Sequence, residues 1–260
     1  MIDLQDRVIL VTGGARGVGR AIAEGLAAQG ARVVIGDILV EAGQAVAKGI
    51  GGTARFEKLD VAQEADWTRV VEGTLAREGR IDALVHDAAA LHIGTIENTP
   101  VDAFRRIQEV NLIGPFMGTR AVVPAMKRQG KGAIVYINSI DGMIGMNGIC
   151  AYAASKWGLR GLAKSNAMEL GRAGIRVNTV CPAGGNGEMF LPWAHTLTDM
   201  PQDVAFYLGN RGIPGETPFS SIANAVAYLV SDASENVTGI DLPVDGGAAS
   251  GCFMPGFNQA

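Results

Sequence analysis

The sequence predicts an α/β fold, a doubly wound parallel sheet with helices on both faces. Short β-branched runs alternate with longer helical patterns along the chain, the order that builds a parallel sheet. The runs are continuously apolar rather than alternating, as strands buried on both faces require. Glycine supplies 36 of the 260 residues, about twice the ordinary share, and sits at the turns between runs.

Taken in order, Arg7–Thr12 (RVILVT) reads as the first strand, Gly13–Gly19 as a turn and Val18–Gln29 as a helix. Ala31–Gly36 is a second strand ending beside Asp37, and Leu39–Lys48 a helix. Thr53–Leu59 is a strand. Gln63–Glu78 is a helix with Ala65, Val70, Val71 and Leu75 on one face. Ile81–His86 is a strand, Val101–Arg128 one long helix and Gly132–Asn138 a strand. Ala151–Gly171 is a helix and Ile175–Val180 a strand. Residues 182–218, broken by Gly and Pro, read as irregular, and a loop that long is expected to be functional. Ser220–Ser231 is a helix and Val237–Val244 the last strand. No linker rich in Ser, Pro or charge interrupts this order. Residues 1–260 are therefore expected to form a single domain, with 182–218 covering the substrate and 248–260 as a C-terminal tail.

Composition excludes several classes. Apolar residues are 48% and charged residues 18%, unlike a disordered chain. A net charge of −4 argues against nucleic-acid binding, which needs a basic patch. No apolar run reaches the ~18 residues of a membrane span. The opening MIDLQDRV has acids where a secretion signal has basic, then apolar residues, and the three cysteines form no CxxC pair. A cytoplasmic protein without a metal site is expected.

Two constellations carry the chemistry. Thr12-Gly-Gly-Ala-Arg-Gly-Val-Gly19 joins the first strand to the first helix. Glycines there let the backbone approach a pyrophosphate, and the helix N-terminus supplies free N–H groups. Gly13, Arg16, Gly17, Val18 and Gly19 are thus candidate cofactor residues on a Rossmann-type sheet. Asp37 ends the second strand, placed to bond ribose hydroxyls and repel a 2′-phosphate, so NAD(H) is expected. In Tyr152-Ala-Ala-Ser-Lys156 a spacing of four puts both side chains on one helix face. An ammonium there is expected to lower the phenol's pKa from about 10 and fit it for proton exchange with a substrate oxygen. Ser139 ends the strand thirteen positions earlier and can orient that oxygen.

The spacing TGxxxGxG, with YxxxK and the Ser in this order, resembles the short-chain dehydrogenase/reductase family, and the resemblance runs from about Arg7 to Gly247. It implies a catalytic quartet of Asn111, Ser139, Tyr152 and Lys156. Asn111 would hold a water linking Lys156 to solvent, and Lys156 would also bond the nicotinamide ribose. Asp60 and Val61 resemble the adenine-contacting pair, and Ala88 and Pro182 match further cofactor positions. Homotetramers or dimers are usual in the family. The Trp157-to-Lys164 helix face and the apolar tail from Cys252 to Phe257 are candidates for subunit packing. ARFEKLDVAQEADWTRVV, VVPAMK, ASKWGLRGLAK and VTGIDLPVDGG are most similar to its bacterial hydroxysteroid dehydrogenases of the 3α,20β type.

Two segments depart from the family pattern. His86-Asp87-Ala88-Ala89 stands where NNAG is usual, and His86 is read as structural. Ala183–Met189 lacks the usual Thr for the carboxamide, leaving backbone N–H groups or Asn186 to substitute. The pocket is expected over the carboxyl ends of the strands. Leu91, His92, Ile93, Met143, Ile144, Met146, Met189, Phe190, Leu191 and Trp193 line it, a Met-rich and adaptable set. Ser139, Asp141, Met146, Met189 and Trp193 are the candidate substrate contacts, Asp141 being the one acid near Ser139. The expected activity is reversible oxidation of an apolar, cyclic (steroid-like, terpenoid or alicyclic) secondary alcohol with NAD. Two alternatives stand beside it. One is a 3-oxoacyl-carrier-protein reductase using NADP(H), with Lys127, Arg128, Lys131 and Arg172 facing an acidic carrier. The other is a non-catalytic dinucleotide sensor.

Overall fold

The computed structural model describes residues 2–184, 187–190, 193 and 201–254. Seven parallel strands form one sheet in the order β3-β2-β1-β4-β5-β6-β7. They are β1 (Val8–Thr12), β2 (Arg32–Asp37), β3 (Ala54–Lys58), β4 (Ala83–His86), β5 (Gly132–Ile137), β6 (Ile175–Pro182) and β7 (Asp241–Val244). The helices are α1 (Gly17–Ala27), α2 (Val40–Ile50), α3 (Glu64–Glu78), α4 (Val101–Gln108), α5 (Gly114–Gln129), α6 (Cys150–Leu170), α7 (Gly187–Phe190), α8 (Pro201–Gly209) and α9 (Phe219–Val230).

Each central strand is apolar on both faces because each face has its own core. Ile9, Val11, Ile35, Val85 and Val135 pack with Val18, Ile22 and Leu26 of α1 and Ile222 and Val226 of α9. Val8, Leu10, Val34, Leu84 and Ile134 pack with Trp67 and Val70 of α3, Val122 and Met126 of α5, and Leu159 of α6. Successive residues of one strand thus feed opposite layers. β1 pairs with both β2 and β4, Val11 lying opposite Ile35 on one side and Val85 on the other. The connections leave β1 in opposite directions, so a crevice opens beyond the carboxyl ends of β1 and β4, where open α/β sheets bind ligands.

Three elements differ from the sequence reading. The helix expected over Val101–Arg128 is α4, a π-helical turn at Glu109–Ile113, and α5. Pro115 has no N–H to offer the carbonyl of Asn111, which is a local reason for the ladder to slip there. The last strand is shorter, only Asp241–Val244. Just before it the Asn178 side chain interrupts the regular ladder, Nδ2 donating to the Val237 carbonyl at 2.8 Å and Oδ1 accepting the Ile240 N–H at 3.2 Å beside the backbone bonds of Gly239 and Ile240. Thirdly, the segment read as irregular holds α7 and α8. Gly187–Phe190 is too short for its helical period to show in sequence, and a proline opens α8 at its first position. Leu191 and Asn186 lie outside the described residues, and so do residues 255–260 of the tail. Among the described residues no helix is long and apolar enough to cross a membrane.

Candidate active site

The glycine turn is locked to the exit of β4. Thr12 Oγ1 accepts the N–H groups of Asp87 and Ala88, both at 3.2 Å. Gly13 and Gly17 have φ of +70° and +53°, a region open to glycine and costly for other residues. A Cβ on Gly19 would lie 2.3 Å from the Gly13 carbonyl oxygen and 2.6 Å from Asp87 Oδ2. α1 opens with no side-chain cap at Arg16 and no acid in its first turn, so its leading N–H groups and positive dipole end face the crevice uncompensated. This cradle fits a pyrophosphate. Asp37 stands beside it, buried, with Oδ2 accepting the Ala15 N–H and Oδ1 the Leu39 N–H, each at 3.0 Å. Asp60 turns back on its own loop, its Oδ1 accepting the Ala62 N–H at 3.0 Å, and Val61 is buried with its carbonyl on Trp67 Nε1. Arg16 is exposed, 3.9 Å from Glu188 of α7.

α6 carries Tyr152 and Lys156 one turn apart, 8% and 3% exposed. Lys156 Nζ donates to the Ile137 carbonyl at 2.8 Å and lies 5.4 Å from the Tyr152 ring centroid. Ser139 follows β5, and its hydroxyl donates to Asp141 Oδ2 at 2.9 Å. Asn111, in the π-helical turn, ties the site together. Its Oδ1 accepts the Ala90 N–H at 2.8 Å, and its Nδ2 donates to the Ala90 carbonyl at 2.9 Å and to Ser155 Oγ at 3.1 Å. The quartet's residues are therefore gathered at the carboxyl ends of β4 and β5.

The electrostatics differ from the sequence expectation in one respect. Burial, reinforced by Asp141, pushes the Tyr152 phenol above its ordinary range, with Ser139 opposing. The lowering expected from Lys156 does not emerge, because the ammonium is anchored on Ile137 and desolvation of the phenol outweighs it. Burial lowers Lys156 itself to about 8, against the pull of Asp87. Asp87 rises to about 7, burial outweighing Lys156. His86 is a core residue, as expected. Burial alone lowers it to about 3, its ring stacks on Tyr136 at 5.1 Å, and Nε2 meets Thr119 Oγ1 at 3.3 Å.

On the substrate side, the loop after β4 runs beside the entry to α6, with the Gly94 N–H donating to the Gly148 carbonyl at 2.8 Å. His92 meets Trp193 edge to face, ring centroids 5.1 Å apart, which sets Trp193 against that loop. Met189 and Trp193 are half-buried and Met146 is exposed. Two participants escaped the sequence reading. Tyr207 of α8 has its phenol raised to about 12 by burial and then by Asp141, and so stays neutral within reach of the Asp141 charge. Arg211, buried, stacks 4.5 Å over the Tyr207 ring and donates to the Ala183 carbonyl at 3.1 Å. The spacing of four between them, in YLGNR, was the available signal. Among the described residues no three His, Cys, Asp or Glu side chains are grouped to hold a metal.

Comparison with known proteins gives concordant matches. The family model described as Enoyl-(Acyl carrier protein) reductase matches residues 13–249. A 3-alpha-(or 20-beta)-hydroxysteroid dehydrogenase of Mycobacterium tuberculosis is 43% identical over 247 residues, covering 94% of this chain and 90% of the relative. A cyclopentanol dehydrogenase of Comamonas testosteroni is 40% identical, covering 94% of this chain and 97% of that one. Among solved structures, a gluconate 5-dehydrogenase from Burkholderia cenocepacia, in complex with NADP and tartrate, superposes with a TM-score of 0.90. It is 30% identical and covers 96% of this chain and 98% of its own.

Proposed function

Since the chain belongs to the short-chain dehydrogenase/reductase family, we propose that it is an NAD(H)-dependent oxidoreductase interconverting a secondary alcohol and its ketone on an apolar, cyclic substrate. The observation that carries this reading is the buried Tyr152–Lys156 pair, set beside Ser139 at the end of the crevice that the glycine turn opens.

Gly13, Gly17, Val18 and Gly19 would hold the pyrophosphate on the N–H groups of α1. Asp37 would take the adenosine ribose, with Asp60, Val61, Ala88 and Pro182 lining the same crevice. The dinucleotide supplies the hydride acceptor or donor. Tyr152 holds the proton that moves to or from the substrate oxygen, and Ser139 orients that oxygen. Lys156, with one ammonium N–H on the Ile137 carbonyl, would have others to give the nicotinamide ribose. Asn111 acts by position: its amide braces Ala90 against Ser155, and its carbonyl, denied an α-helical donor by Pro115, is the group left for a water beside Lys156. Met146, Met189 and Trp193 shape an apolar wall for the ring of the substrate, in keeping with the cyclic alcohols named for the relatives. Exposed apolar residues on neighbouring helices, among them Phe104, Phe116, Trp157 and Met168, suit a homotetramer or dimer.

The NADP-bound neighbour makes cofactor choice the point to test. NAD and NADP are each supplied with steroid, terpenoid, aryl and aliphatic secondary alcohols, their reduced forms with a 3-oxoacyl thioester, and turnover is followed at the nicotinamide absorbance. The reading expects turnover with NAD on one bulky cyclic class. Preference for NADP with acyl substrates would favour carrier-linked acyl reduction. Tight NADH binding without any turnover would favour a sensor.

A further inference from the structure

A serine hydroxyl has one proton to give, and here Ser139 gives it to a carboxylate. Oγ donates to Asp141 Oδ2 at 2.9 Å and accepts the Asp141 backbone N–H at 3.1 Å. Both bonds are closed within a single 3-10 turn, Ile140–Gly142. Asp141 is 8% exposed, and its Oδ1 has no hydrogen-bond partner among the described residues. Ser139 of its own turn bonds this carboxyl, and Tyr152 and Lys156 of α6 and Tyr207 of α8 are near enough for charge to couple with it. Arg160 of α6 donates to the Gly142 carbonyl at the end of the turn, at 3.2 Å, and is paired with Asp241 of β7 at 2.7 Å. Burial raises the Asp141 carboxyl above its ordinary range, opposed by the Ser139 bond and by Lys156.

A hydroxyl whose proton is held by a carboxylate can only accept from a third group. A hydroxyl that receives a proton from a carboxylic acid is free to donate to one. On the premise that the site interconverts an alcohol and a ketone, we infer that Asp141 is a positioning residue that sets the facing of the Ser139 hydroxyl. As carboxylate it keeps the Ser139 proton and leaves Oγ an acceptor suited to a substrate hydroxyl. As acid it donates to Oγ and turns the Ser139 proton toward a substrate carbonyl. No proton leaves Ser139 in either state, and Asp141 acts on the substrate only through it.

The consequence is a bias in reaction direction. Ketone reduction gathers negative charge on the carbonyl oxygen, and a donor aimed there stabilises it. That donor is present only while Asp141 is protonated, so reduction loses rate as pH rises through the Asp141 ionisation, beyond the loss Tyr152 itself causes. Charge alone acts the other way. Removing the Asp141 charge, which holds the Tyr152 phenol up, would let Tyr152 ionise sooner and make reduction fail at lower pH.

The test is the pH profile of kcat/KM for reduction of a cyclic ketone at saturating NADH, from the lowest pH at which the fold holds up to pH 8.5, in the wild type and in Asp141→Asn. The amide donates to Ser139 at every pH. The wild type should fall on the order of tenfold more than the variant across that range, with NADH affinity by fluorescence unchanged as the check on folding. In a Ser139→Ala background, Asp141→Asn should leave only the charge effect, an earlier fall, and should no longer protect reduction at high pH. If Asp141→Asn does not fold, Ser139→Ala alone should remove the extra fall. Coincident profiles or an earlier fall in the Asp141→Asn single variant, or protection at high pH that persists without Ser139, would each overturn the inference alone. Absence of any ketone reduction by the wild type would overturn the dehydrogenase reading and this inference with it.

Discussion

Asp37 is the residue on which cofactor choice turns. Its carboxylate is oriented by two backbone N–H groups, from Ala15 and Leu39, so its charge is fixed at the edge of the crevice. Asp37→Ala should weaken NADH by roughly ten- to a hundredfold, the worth of charge-assisted bonds to hydroxyls, and should improve NADPH. Paired fluorescence titrations check this, and an unchanged NADH-to-NADPH ratio would remove Asp37 from the ribose. Residue identity and spacing were enough to single out Asp37, Ser139, Tyr152 and Lys156 in the sequence. What spacing could not convey is where a proton or charge rests. That Lys156 anchors on Ile137, that Ser139 gives its proton to Asp141, and that Tyr207 comes within reach of the Asp141 charge all depend on side-chain directions set by the packing of α6, β5 and α8.

At the scale of elements, the seam between α5 and β4 is a tight constraint near the site. Gly118 lies against Trp67 and His86; a Cβ there would sit 2.4 Å from Trp67 Cη2 and 2.6 Å from His86 Cε1. Gly118→Ala should therefore destabilise the fold by about 1–3 kcal/mol through displacement of the His86 ring from Tyr136. Denaturant titration measures it, and a wild-type midpoint would show that the seam yields freely. The strands and most helices were legible because continuous β-branched runs and helical periods are local signals. The π-helical turn and the shortened β7 were not, since one rests on how Pro115 shifts the ladder inside an otherwise helical period and the other on tertiary bonds of the Asn178 side chain. α7 and α8 were hidden by the Gly and Pro content of their surroundings.

For the whole molecule, buried His86 couples stability to pH. Its folded-state pKa is lowered to about 3 from 6.5 by burial, so between those values the unfolded chain binds more protons than the folded one. Its contribution is complete above about pH 6.5 and is lost as pH falls toward 3, by about 2 kcal/mol between pH 6.5 and 5. His86→Asn should flatten that part of the curve of unfolding free energy against pH, whatever it does to the absolute value. An unchanged slope would mean that other groups carry the acid sensitivity. The central claim, that Tyr152 is the acid/base of a dinucleotide-dependent dehydrogenase, is tested most directly by one paired measurement on Tyr152→Phe: turnover of a cyclic secondary alcohol, and the dissociation constant of NADH. The account predicts turnover reduced by at least about 10²-fold with NADH affinity nearly unchanged. Turnover retained, or NADH binding lost in equal measure, would contradict it.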